Sequence, residues 1–180
     1  MPLTTSPLAV YASPIAAAQQ TTLKVPWYSW DQNEWCWAAC AQMLAAFYQN
    51  KVTPQCNFAT QMFGHDCCQN PAAHNFPLLI DKVKEVFPLF GRSVEQQNNP
   101  VDFEVVQAEI VAGHPVQVGY NWNDGGSHLA VVAGAAVNAY GQLLWINDPD
   151  PDIGRGWRKY DDVKYAYGQG TWQWTWMPIR

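Results

Sequence analysis

The chain predicts an α+β fold in which a helical N-terminal half packs on a C-terminal antiparallel β-sheet. Helix-forming periodicity is concentrated before Gly113, and short β-rich runs separated by turn residues follow it. This segregation differs from the strand–helix alternation of parallel α/β folds. At 180 residues, 48% hydrophobic and 14% charged, the chain has the material for one folding unit, expected over residues 25–180.

The stretch Trp35–Gln49 (WCWAACAQMLAAFYQ) is rich in strong helix formers, and Ala39, Met43, Ala46 and Phe47 recur at helical spacing. Asp31 and Asn33 are good capping residues, so the helix is expected to begin within a residue or two of Cys36. A second helix is expected over Phe76–Phe87, where Leu79, Ile80, Val83, Val86 and Phe87 share a face. A third is expected over Asp102–Ala112, stopping at Gly113. Strands follow at Pro115–Tyr120, His128–Val132, Leu143–Ile146 and Thr171–Trp176. In the last of these, Trp172, Trp174 and Trp176 alternate with Thr171, Gln173 and Thr175, so a regular strand sets three indoles on one face as core.

The net charge of −5, with scattered acidic residues and no basic stripe, argues against a nucleic-acid partner. No apolar run reaches the roughly 20 residues of a membrane-spanning helix, so no membrane span is expected. Met1–Leu23 carries no charge and contains an Ala/Ser/Pro-rich stretch ending in Ala16-Ala17-Ala18. Residues 1–24 are therefore expected to be a flexible arm, a signal remnant or a propeptide.

Five cysteines, an odd number, suit up to two disulfides and one free reactive thiol, the pattern of a secreted thiol enzyme. Two bridges are expected among Cys40, Cys56, Cys67 and Cys68, with their connectivity open. Cys56, His65, Cys67, Cys68 and His74 are also metal-ligand types. They form no Cys-x-x-Cys pair, and adjacent cysteines suit disulfides better, so neither a metal nor a cofactor is expected.

A thiol attacks as thiolate, and its pKa falls at a helix N-terminus beside an imidazolium. Cys36 meets the first condition. Of the four histidines, His128 is the best placed base: it follows Gly125-Gly126-Ser127 and opens the apolar run Leu129–Val132. His114, between Gly113 and Pro115, reads as a loop residue. Asp148, or alternatively Asn147, ends the next strand and is suited to orient the imidazole. The Asp148, Asp150, Asp152 run lacks the glycine and distal glutamate of a calcium loop.

Trp35-Cys36-Trp37-Ala38-Ala39-Cys40 resembles the helix start of papain-like cysteine peptidases, Gly126–Gly134 resembles their His-led strand, and Ile146-Asn147-Asp148-Pro149 resembles the Asp-Pro of bacterial members. These include plant-pathogen effector and bacteriocin-leader peptidases. The resemblance implies a papain-like fold with the active-site cleft between helical half and sheet. It also implies a Cys36–His128–Asp148 triad acting on polypeptides. The family's oxyanion glutamine stands six residues before the nucleophile, where this chain has Trp30. Gln32, four before it, is the expected substitute, with Asn33 as fallback. The expected function is peptide-bond hydrolysis by a monomer. An amidase, a transpeptidase or a deamidating toxin on the same acyl-thiol machinery, and a catalytically silent binding module, are the alternatives.

Overall fold

The structure is a computed structural model and describes residues 19–179. Most of the expected N-terminal arm lies outside the described residues. Among the described residues, β1 (Gln19–Thr22) pairs antiparallel with β4.

The helical half comprises α1 (Cys36–Gln49), α2 (Gln55–Phe63) and two 3-10 segments, Pro71–His74 and Ile80–Phe90. Then come β2 (Val94–Gln97), α3 (Phe103–Val111), β3 (Val116–Trp122), β4 (Ser127–Asn138), β5 (Gly141–Asn147), β6 (Arg155–Lys159), α4 (Tyr160–Lys164) and β7 (Gly170–Pro178). The strands form one antiparallel sheet in the order β2-β7-β3-β4-β5-β6, with β1 beside β4. This is the segregated α+β architecture, and it is papain-like.

Strand β4 is the axis of the molecule. Its Leu129, Val131 and Ala133 join α1, α2 and Trp176 in one core cluster, while Ala130, Val132 and Ala135 join α3 in a second on the opposite face. Successive side chains of a strand point to opposite faces, so a strand buried on both sides reads as the unbroken apolar run Leu129–Ala136.

Two expected elements differ. Phe76–Leu79 is not helical, and the helix that follows is a 3-10 segment starting at Ile80, with Leu79 70% exposed. Pro77 disfavours the α conformation at Phe76, and Pro88 has no N–H to continue an α ladder. The three indoles near the C-terminus do not share a face either. The β3–β7 register shifts between Gly119 and Tyr120, pairing Tyr120 with Trp172 and Gly119 with Trp174. Gln173 is the extra residue, so Trp172 enters the α3-side core and Trp176 the α1-side core. Gly119 admits Trp176 to that face, since a Cβ there would lie 3.0 Å from the indole.

Candidate active site

Helix α1 sets Cys36 as its first residue. The preceding Trp35 is fully buried; its backbone N–H donates to Gln32 O (2.8 Å) and its indole N–H to His74 O (3.0 Å). No side chain caps the helix. The expected caps are used elsewhere: Asn33 Oδ1 accepts from Asn75 Nδ2 at 2.6 Å, and the Asp31 N–H donates to Gln55 Oε1 at 2.9 Å. The position before the helix is given to a buried indole, which leaves the first-turn N–H groups, that of Cys36 among them, without an intrahelical partner.

Gln55, 1% exposed, clamps this approach to the helix. Besides holding Asp31, its amide donates to Ser29 O (2.7 Å) and to Gln42 Oε1 on α1 (3.0 Å).

His128 is the second residue of β4, and Asp148 directly follows β5. The β4–β5 register pairs Val131 with Asn147, which brings the residue after β5 beside the start of β4. His128 Nε2–H donates to Asp148 Oδ1 at 2.7 Å, and that oxygen also accepts the Asp150 N–H at 2.9 Å. Trp27 Nε1–H holds the Asp148 carbonyl at 2.6 Å, and Asp148 itself is fully buried. Asn147, the alternative partner, is not at the histidine: its amide donates to Val25 O and accepts from Trp145 Nε1.

Three aromatic rings enclose the imidazole. Trp122 and Tyr120 stack on it at centroid distances of 5.6 and 6.2 Å, and Trp30 meets it edge-on at 5.7 Å. Burial opposes a charge on His128. Hydrogen bonds to Asp148 and to the Cys36 thiol, with their negative charges, outweigh it and push the imidazole up to about 10. With Nε2 committed to Asp148, Nδ1 is the nitrogen left for the thiol.

Cys36, His128, Trp30 and Trp122 face a cleft of about 790 Å³ between the α1 approach with Leu78–Ile80 on one side and the β3–β4 turn with the Asp150–Ile153 loop on the other. Trp30 and Asn33 line it and Gln32 does not. Four carboxylates, Glu34, Asp124, Asp150 and Asp152, line it with no lysine or arginine.

The remaining histidines are elsewhere. His114 pairs with Glu109 at 3.0 Å beyond α3, and His65 meets His74. One disulfide, Cys56–Cys68, joins α2 to the following loop, while Cys40 and Cys67 are free and buried, as opposed to the two bridges expected. Cys40 faces the core from α1, and the Cys67 thiol turns inward to His65 O. Trp27, Gln55, Tyr120 and Trp122 escaped the sequence reading. Only Trp122 and Tyr120 carried a signal, since a hairpin closing at Gly125-Gly126 returns β3 onto His128.

A helix-borne cysteine facing a strand-borne histidine across such a cleft is the arrangement of papain-like cysteine peptidases. The fold is shared with a C39-like peptidase from Bacillus anthracis, at a TM-score of 0.58 and 15% identity, covering 90% of this chain and 98% of that one. A double glycine motif protease from an AMS/PCAT transporter, solved with its leader peptide, gives a TM-score of 0.55 at 18% identity, with 88% and 95% covered. Procathepsin L 3 from the Tenebrio molitor larval midgut gives 0.50 at 12%, with 97% and 73% covered. No curated protein sequence matches. The sequence profile of the Peptidase_C39 like family matches residues 22–176, and the chain belongs to that family. It is a cysteine peptidase.

Proposed function

We propose that Cys36, His128 and Asp148 form the catalytic triad with which this peptidase hydrolyses peptide bonds. The observation that carries the reading is the buried His128–Asp148 hydrogen bond, with His128 and Cys36 lining the same cleft. The Cys36 thiolate attacks the scissile carbonyl. The His128 imidazolium then gives its proton to the leaving amine, and the resulting acyl-thiol is hydrolysed by water that His128 deprotonates. Asp148 fixes the ring so that Nδ1 faces the sulfur.

The oxyanion is held by the Cys36 backbone N–H and the side-chain amide of Asn33. Asn33 is preferred to Gln32 because it lines the cleft, and because Asn75 occupies its Oδ1 and leaves Nδ2 to donate. The carboxylate-lined cleft favours peptide segments bearing lysine or arginine. The leader peptide held by the transporter protease of the same fold supports a polypeptide substrate. The Cys56–Cys68 bridge supports an oxidising, extracytoplasmic setting.

Digestion of a denatured, lysine-rich protein tests this. Wild type is expected to cleave it and Cys36→Ser to be inactive with an unchanged circular dichroism spectrum; cleavage by the folded Cys36→Ser protein would overturn the assignment.

A further inference from the structure

Outside the cleft, the loop from α2 to the cleft wall gathers three metal-ligating side chains that the triad does not use. His65 Nε2 and His74 Nδ1 lie 3.0 Å apart, and together with Cys67 Sγ the candidate ligand atoms all lie within 4.8 Å of one another. We propose that His65, Cys67 and His74 form a three-ligand zinc site that fastens this loop.

The orientation of His65 is already set for a metal. His65 Nδ1 faces the Phe63 carbonyl at 3.0 Å; a carbonyl only accepts, so Nδ1 carries the proton and Nε2 turns its lone pair into the cluster. An imidazole whose other nitrogen donates to a backbone carbonyl is the usual state of a metal-bound histidine. Cys67 is held from two sides, its N–H donating to Thr60 Oγ1 at 2.9 Å and its thiol to His65 O at 3.4 Å. Its neighbour Cys68 is taken by the disulfide with Cys56, which leaves Cys67 as the thiol facing the histidines.

Tetrahedral zinc, with Zn–S about 2.3 Å and Zn–N about 2.0 to 2.1 Å, sets ligand atoms about 3.3 to 3.6 Å apart. The present spacings bracket that range, so rotation of the exposed His65 and half-buried His74 rings suffices. Two imidazoles and a thiolate form a borderline-soft set that suits zinc and offers calcium or magnesium none of the oxygen ligands they take. His65 is exposed, which leaves the fourth position open to a water. On binding, Cys67 gives up its thiol proton and His74 moves its ring proton from Nδ1 to Nε2, so one proton is released per zinc.

The site bears on the cleft through the backbone. His74 O accepts the Trp35 indole N–H, and Asn75 accepts the Glu34 N–H at 3.0 Å and donates to Asn33. Fixing the loop thus fixes the segment that leads into α1.

The test uses the full chain carrying Cys36→Ala, which removes the cleft thiol as a competing ligand and separates this proposal from the triad. The protein is freed of metal by a chelator and titrated with Co²⁺. One equivalent is expected to give a thiolate-to-cobalt charge-transfer band and tetrahedral visible bands, both displaced by one equivalent of Zn²⁺. Cys67→Ser should remove the charge-transfer band, and His65→Ala or His74→Ala should each weaken binding at least about tenfold. Absence of the band, or its survival in folded Cys67→Ser, overturns the site. Should Cys67→Ser fail to fold, unchanged Co²⁺ affinity in both histidine variants overturns it equally.

Discussion

Trp122 stacks on the His128 ring, with centroids 5.6 Å apart and planes 22° apart, from the strand next to the one that carries the histidine. The indole lies on a ring whose bond to Asp148 loses strength whenever water reaches it. Such aromatic pairs are worth about 0.5 to 1.5 kcal/mol. Trp122→Ala is expected to lower kcat/KM roughly tenfold, and Trp122→Phe to recover most of it. Peptidase assays on the two variants check this.

The elevated proton affinity of His128 gives a pH prediction. Its folded value, about 10, exceeds the ordinary 6.5, so the stability it contributes is complete below about pH 6.5 and is lost as pH rises through about 10. The imidazolium required for protonating the leaving amine disappears over the same alkaline range. Asp148→Asn removes a hydrogen-bonded carboxylate that raises this affinity, and is expected to move the alkaline limb of the kcat/KM profile to lower pH.

Cleft charge predicts substrate choice. Peptides with lysine or arginine flanking the scissile bond are expected to be cleaved about tenfold faster than glutamate-bearing counterparts at low salt, and the preference to shrink in high salt. Combining Glu34→Gln with Asp124→Asn should narrow the same ratio, read as kcat/KM on matched peptides.

Gln55 joins both chemistry and stability. Its replacement by leucine strands the Asp31 N–H, the Ser29 carbonyl and Gln42, at a cost of about 1 to 3 kcal/mol. A lowered Tm is expected, together with a fall in kcat from the loosened approach to Cys36.

Legibility in the sequence followed locality. Helices α1 and α3 appeared within a residue of their observed starts, because each carries its own apolar period. The centres of β3, β4, β5 and β7 were legible as β-rich runs, whereas β1, β2 and β6 were not. Gln19–Thr22, Val94–Gln97 and Arg155–Lys159 are polar edge or near-edge strands defined by their partners, not by their own pattern. The bulge at Gln173 was invisible for the same reason: it is a property of the pairing with β3. Cys36, His128 and Asp148 could be chosen from residue type and setting. The clamp by Gln55, the stacking by Trp122 and the meeting of His65, Cys67 and His74 arise only when distant segments close on one another.

Three described cysteines carry free thiols, and Cys36 alone among them is not buried. The most direct measurement is mass spectrometry of the native protein after reaction with an epoxide thiol trap. One adduct on Cys36 is expected, reduced strongly by His128→Ala, with Cys40 and Cys67 unmodified. An active preparation in which Cys36 stays unmodified while Cys67 takes the label would contradict the assignment of Cys36 as the nucleophile.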